Sequence, residues 1–389
     1  MCQFITVPDS LSLPIMRIRR EEALSLWDFL VTVPDPRMDQ GKRHPLPIVL
    51  LISILALCCG AQGYESIAEW GENYQEQIKR SMPFAAGHIP AASTFQRIFC
   101  RLDADAIEAV LSAWMLVRFP LQKGEGISLD GKTVGATGLH LVAAFSHRAK
   151  SVLFEKGTTT KGKELVVGPE VLSMVPLTDH VTTGDAMFAQ RSISTQITIR
   201  GGGYVFTVKG NQETLEQDIH MFFKHPPMGA RIETTTLCEK VKGMIVERTV
   251  EMSSDMNDYL QWPGLTHIYR VRREVTKKGK TTTDVAVGVA RLLAKHDTVE
   301  NLAALIRGHW SIENYLHRAR DVVFGEDRST IRTRHGPQMM AAIRNLIITV
   351  FYHANVESFP KKMRRFCAKP EELFAFWQIP AYSRLPIMA

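Results

Sequence analysis

Between Ile127 and Gly210 the chain changes period in a set order, and that order restricts the available folds more than any other feature. ISLDGKTV, LHLVAAFS and KSVLFEK are three short β-rich stretches joined by Gly, His-Arg and Lys turns. KELVVGPEVLSMV then reads as helix, DHVTTGD as strand, AMFAQRSISTQITIR as helix and GGYVFTVKG as strand. The order β-β-β-α-β-α-β predicts an antiparallel three-strand meander followed by crossovers, hence an α/β fold with a mixed sheet flanked by helices. In that sheet the first and fourth strands lie side by side. Gly201-Gly202-Gly203 marks the turn into the last strand rather than a phosphate cradle.

What precedes and follows this run has a different character. Residues 20–120 read as helices throughout, with Ser93 and Asp103 as N-caps of two of them. Pro45 to Tyr64 carries no charge. Its continuously apolar part, Ile48 to Ala61, is shorter than the roughly 20 residues a membrane span needs, so it predicts a buried helix and no membrane association. Residues 211–299 alternate in hairpin fashion, with Lys277-Lys278-Gly279-Lys280 at one turn. That is far beyond an ordinary loop of at most about 15 residues, and predicts a β-rich insertion folded on its own. A long helix resumes with Leu302, Leu305, His309, Ile312, Leu316, Ala319 and Val323 on one stripe. GPQMMAAIRNLIITVFYH is a further core helix, and a tail follows with Lys361, Lys362, Arg364 and Arg365. The segmentation is therefore 1–122 helical, 123–210 first part of the sheet domain, 211–299 insertion, 300–352 second part and 353–389 basic tail.

Composition excludes several classes. The 389 residues are 45% hydrophobic and 22% charged, ordinary globular values that exclude disordered and collagen-like chains. Six cysteines, at 2, 58, 59, 100, 238 and 367, form no C-x-x-C pair and no disulfide framework, which points to a reducing compartment. No signal peptide follows Arg17, Arg19 and Arg20. The net charge of +7 suits a polyanionic partner such as nucleic acid.

Three carboxylates stand at telling positions. Asp130 lies inside the first β stretch, Asp185 at the end of the fourth strand, and Glu313 beside the helical stripe, with His309 and His317 one turn away on either side. Taken singly, each has a plain structural reading: a hairpin turn at Asp-Gly, a helix N-cap, and a solvated helix face. Taken together, adjacent first and fourth strands bring Asp130 near Asp185, and a helix packed across the sheet brings Glu313 to both. Such a cluster raises its own pKa values unless a hard divalent cation neutralises it, and oxygen donors favour Mg²⁺ or Mn²⁺. Two such ions support phosphoryl transfer on nucleic acid. A zinc or di-iron site at His309, Glu313 and His317 is a weaker reading, because no second ligand-rich helix is present.

At these residues the chain resembles the H-repeat-associated family of bacterial insertion-sequence transposases, of the DDE group with an RNase H-like catalytic fold. The resemblance covers about Phe29 to Tyr352. It rests on DPRMDQGKRHPLPIVLLISILALCCGAQGYESIAEWG and IPAASTFQRIFCRLD; on L-D-G-K at Leu129–Lys132; and on D-A followed by Gln at Asp185-Ala186 and Gln190. It continues through K-G-N-Q at Lys209–Gln212, R-x-H-W-x-I-E-N-x-L-H at Arg307–His317, and D-V-x-F-x-E-D at Asp321–Asp327. The spacings also fit, Asp185 lying 55 residues after Asp130 and Glu313 a further 128 on.

The resemblance implies that Asp130, Asp185 and Glu313 hold two Mg²⁺ ions. It further implies that the substrate is double-stranded DNA, both the element's terminal inverted repeats and the target, and that a homodimer works on bacterial DNA in the cytoplasm, at the nucleoid. Lys132, Lys209, Asn211 and Arg320 become candidate DNA contacts. The chain departs from the family at Arg318 and Arg320, where Trp and Leu are usual, at the Lys161–Glu164 turn, and at Gly229–Glu233. A domesticated DNA-binding protein that has lost catalysis, and a metal-dependent nuclease, are the rival readings.

Overall fold

The computed structural model describes residues 25–379 apart from 82–86, Lys161 and Lys242. The basic stretch at 17–20 and part of the Lys161–Glu164 turn lie outside the described residues.

The first helices are α1 (Leu26–Leu30), α2 (Leu46–Cys58), α3 (Tyr64–Asn73), α4 (Gln75–Ser81), α5 (Ala92–Arg101) and α6 (Ala104–Arg118). The charge-free run becomes α2, a helix buried on every side, with twelve of its thirteen residues in the core. Among the described residues no helix is long and apolar enough to cross a membrane. Asp103 caps α6 as expected, accepting from the Asp105 and Ala106 N–H groups. Ser93 caps nothing. Helix α5 starts earlier, at Ala92 behind Ala91, where no side chain accepts from the first turn.

The expected alternation follows: β1 (Gly126–Val134), β2 (Leu139–Ser146), β3 (Val152–Thr158), α7 (Glu164–Ser173), β4 (Val181–Gly184), α8 (Arg191–Ile199) and β5 (Gly203–Val208). Strand β2 pairs antiparallel with β1 and β3, while β1, β4 and β5 run parallel. Leu129 stands opposite Gly184, so Asp130 and Asp185 emerge at the same level of adjacent strands.

Next come α9 (Glu213–Lys224), β6 (Glu233–Val241), β7 (Met244–Ser253), the one-turn α10 (Asn257–Leu260), β8 (His267–Lys277) and β9 (Lys280–Arg291). The segment is β-rich, and its strands join the preceding sheet rather than standing apart from it. Strand β9 pairs antiparallel with β5, from Tyr204 opposite Arg291 to Val208 opposite Val287. The result is one nine-stranded mixed sheet, β3-β2-β1-β4-β5-β9-β8-β7-β6. The edge of the parallel section would otherwise leave a row of unpaired backbone groups; the insertion covers it.

The chain then forms α11 (Val299–His309), α12 (Gly336–His353), α13 (Phe359–Ala368) and α14 (Pro370–Phe376). Helices α7, α8 and α9 pack one face of the sheet around Leu129, Val142, Phe188 and Phe206. Helix α11 packs the other through Leu302 and Leu305 against Val205, Val250 and Tyr269. The N-terminal helices share a single core with α12, α13 and α14, where Ile52, Phe95, Leu346, Phe366 and Leu373 meet. Residues 359–376 are therefore packed helices rather than a loose basic tail, and Arg365 is paired with Glu372.

Candidate active site

Alternation along β1 and β4 decides which side chains meet. Ile127 and Leu129 are buried against α7–α9, so Ser128 and Asp130 project to the α11 face, as do Thr183 and Asp185 on and after β4. Ser128 donates its hydroxyl to the His309 carbonyl (3.0 Å) and fixes the end of α11 over β1.

The chain beyond α11 stays helical but widens. Residues Ile312–His317 and Ala319–Val323 adopt π-helical turns, with the Arg318 N–H donating to the Glu313 carbonyl and the Phe324 N–H to Ala319. Such turns are rare and concentrate at functional sites. They carry Glu313, exposed at the rim, with exposed Trp310 preceding it.

Each histidine of the segment turns to one aspartate. His309 Nε2 lies 3.5 Å from Asp185 Oδ1, and His317 Nδ1 lies 3.7 Å from Asp130 Oδ2. Among the described residues no three His, Cys, Asp or Glu side chains are grouped closely enough to hold a metal ion as they stand, which covers His309, Glu313 and His317 and equally Asp130, Asp185 and Glu313.

The charges of Asp185 and Glu313 both reach Asp130. Asp130 is pushed up to about 6, first by burial and further by the negative charges of Asp185 and Glu313, against the pull of His309 and the Gly131 N–H. Asp185 moves the other way: the His309 contact holds it below the ordinary carboxylate range despite burial, helped by the charge of Lys209. His317 is driven down to about 3 by burial and by the charges of Arg320 and Lys132, so it is neutral beside Asp130. A half-buried carboxylate pressed by two others, with oxygen the donor atom throughout, suits a hard divalent cation. The donor chemistry fits.

A second layer was not visible in the sequence. Thr183 Oγ1 lies between His147 Nε2 (3.2 Å) and His309 Nδ1 (3.1 Å), bridging the two rings behind Asp185. Burial drives His147 down to about 3, so it too is neutral. Its ring fills the space between β1 and α11 so tightly that a Cβ on Gly126 or Gly308 would come within 2.3 Å or 2.2 Å of its Nδ1. His147 lies in the turn after β2, where only its turn-forming company could be read.

The K-G-N-Q block clips the loop after Asp185. Asn211 Nδ2 donates to the Ala186 carbonyl (2.6 Å), while Gln212 Nε2 reaches the Ala189 carbonyl (3.3 Å) and Gln190 Oε1 (3.4 Å). Lys209 is exposed beside it.

Two candidate DNA contacts are corrected. Arg320 is completely buried, its guanidinium bonded to Glu155 and, at 2.7 Å, to Glu326, which also binds Arg344 at 3.0 Å. The π turns rotate it off the Glu313 face that a regular helix would have given it. Lys132 Nζ is bound to Asp321 at 2.6 Å and faces Asp327 at 3.6 Å, with its side chain 10% exposed; it is an internal tie.

Comparison with known proteins adds an independent line. The family description "Transposase DDE domain" matches residues 115–350, and "DDE_Tnp_1-associated" matches 27–115. "H repeat-associated putative transposase YhhI" of Escherichia coli K12 is 28% identical over 88% of this chain and 95% of its own length. "Putative transposase YncI" of Escherichia coli O157:H7 is 27% identical over 84% and 87%. A short relative named "Inactive transposase YbfQ", from Escherichia coli K12, is 32% identical over 20% of this chain and 90% of its own length.

Proposed function

Because this chain belongs to the DDE transposase family, we propose that it cuts the ends of its own insertion sequence and joins them to target DNA, with Asp130, Asp185 and Glu313 as the catalytic residues. The observation that carries this reading is the register that brings Asp130 and Asp185 out at one level of adjacent parallel strands, with Glu313 near enough for its charge to act on Asp130. The strand order and directions around β1 agree with an RNase H-like catalytic fold, to which the N-terminal helices and the β6–β9 strands are added.

The three carboxylates would hold two divalent cations, Mg²⁺ or Mn²⁺. When bound, such ions activate the attacking hydroxyl and stabilise the leaving oxygen of a phosphodiester. Around them the chain's own groups set the geometry. Strand pairing fixes Asp130 and Asp185 at one level. His309 holds the Asp185 carboxylate, Thr183 and His147 hold His309, and neutral His317 flanks Asp130 without adding charge. Asn211 and Gln212 hold the loop that follows Asp185, and exposed Lys209 meets a DNA phosphate there. Water cleaves each end, and the freed 3′-hydroxyl attacks the target in line; no covalent protein–DNA link is required.

Residues 1–122 recognise the element ends, and two copies of the chain bring two ends together in the bacterial cytoplasm. Incubating the full chain with Mg²⁺ and a labelled duplex taken from the inverted repeats beside its gene tests the reading. Cleavage at the repeat boundary and joining to plasmid DNA are expected. Binding without cleavage would leave a domesticated DNA-binding protein, and cleavage indifferent to the repeat would leave a nuclease.

A further inference from the structure

The four strands of the insertion are longer than the sheet they join. Strand β5 ends at Val208, opposite Val287, yet β9 begins at Lys280. Seven residues of β9, with the matching parts of β8, β7 and β6, therefore run on past β5. At about 3.4 Å per residue they form an arm about 24 Å long. The direction is set by register. Gly184 stands opposite Phe206, and Phe206 opposite Val289, so the arm leaves the sheet on the side where Asp185 and Lys209 emerge.

Both turns of the arm lie at its far end, since Ile245 stands opposite Thr276 and Lys277 opposite Lys280. Lys240, Lys277, Lys278 and Lys280 cluster there, all exposed, and among the described residues none has a carboxylate partner. Parity then sorts the cations. Val271 packs with Val250, Leu302 and Leu305, so Arg273 and Lys277, two and six residues on, share the face covered by α11, as does Lys280 opposite Lys277. Helix α11 leads along that face into the Glu313 segment, and its Arg307 is tied to Glu239 of β6 at 2.6 Å. Arg273 is paired with Asp284 across the strands at 3.4 Å, so the cations of that face without a carboxylate partner are Lys277 and Lys280 at the tip of the arm, beyond the catalytic end of the sheet.

We propose that this arm is a phosphate-binding surface that holds the DNA duplex as it runs out from the catalytic carboxylates, with Lys277, Lys278 and Lys280 as its main contacts. The inference rests on the transposase reading. It adds a binding surface that reads no sequence, because lysine meets the backbone as a point charge.

The test measures the salt dependence of binding by the full chain to two labelled duplexes, an element end and a random sequence, each long enough to pass both turns. Wild type is compared with the triple variant Lys277→Gln, Lys278→Gln, Lys280→Gln and with the corresponding Lys→Arg triple variant. Each lost phosphate contact makes the slope of log K against log salt shallower by about 0.9, so the Gln variant is expected to be shallower by about 2.7 on both duplexes. The Arg variant should keep the wild-type slope. Equal slopes for wild type and the Gln variant would overturn the arm alone. A wild-type chain that binds neither duplex would overturn the transposase reading with it.

Discussion

Gly308 has no room for a side chain, since its Cβ would sit 2.2 Å from the His147 ring. Gly308→Ala should therefore push His147 off Thr183 and cost about 1–3 kcal/mol as an overpacked site, read as a lower midpoint in urea unfolding. Thr183→Val is the cleaner probe. It keeps the shape but leaves two ring nitrogens without their shared hydroxyl, at a cost of about 1–3 kcal/mol. Nicking should fall with it and return in Thr183→Ser; equal nicking by the Val and Ser variants would remove Thr183 from the support of Asp185. At this scale the nearness of Asp130 and Asp185 was legible in the sequence, because the strand order puts the first and fourth strands side by side. The layer behind them was not. His147 meets Thr183 and His309 only through the packing of β1, β4 and α11, which leaves no periodic sign.

Among the elements, the helical segment after α11 departs most from expectation. A period of 3.6 applied from Glu313 to Arg320 places both on one face, and the π turns cancel that inference. Arg320 instead joins Glu155 of β3, Glu326 and Arg344 of α12 in a buried charge network. Burial raises Glu155 above its ordinary value of 4.5 even beside Arg320, whereas at Glu326 the cations outweigh burial and lower it. Removing the cation should be severe: Arg320→Leu leaves two buried carboxylates facing each other and should cost about 3–5 kcal/mol at neutral pH. The sign with pH follows. In the variant Glu155, already raised by burial, loses its cation, while Arg344 still pairs with Glu326; the protonated form of Glu155 therefore favours the fold, and the deficit against wild type shrinks as pH falls toward 4.5. Urea unfolding at both pH values checks this; a deficit that grows on acidification would contradict it.

For the whole molecule, the joined sheet and the shared helical core matter most. The pairing of β5 with β9 links residues about 80 positions apart, and no local pattern announces it. The hairpin character of 211–299 was readable, its attachment was not. Likewise the N-terminal helices read as a unit, yet Ile52 and Phe95 share their core with Leu346, Phe366 and Leu373. Residues 1–122 expressed alone should therefore lack a cooperative thermal transition, and end recognition is better assayed in the full chain. A fragment that melts sharply would show that α12–α14 are dispensable to it.

The central claim is that Asp130, Asp185 and Glu313 act as one catalytic unit. The most direct measurement is Mg²⁺-dependent nicking of a labelled element end by Asp130→Asn, Asp185→Asn, Glu313→Gln and their pairwise combinations, with end binding measured alongside. Each single change should abolish nicking while binding persists, and the double changes should cost little more than the singles. Near wild-type nicking by Glu313→Gln, with binding intact, would contradict the claim and return Glu313 to the helix surface.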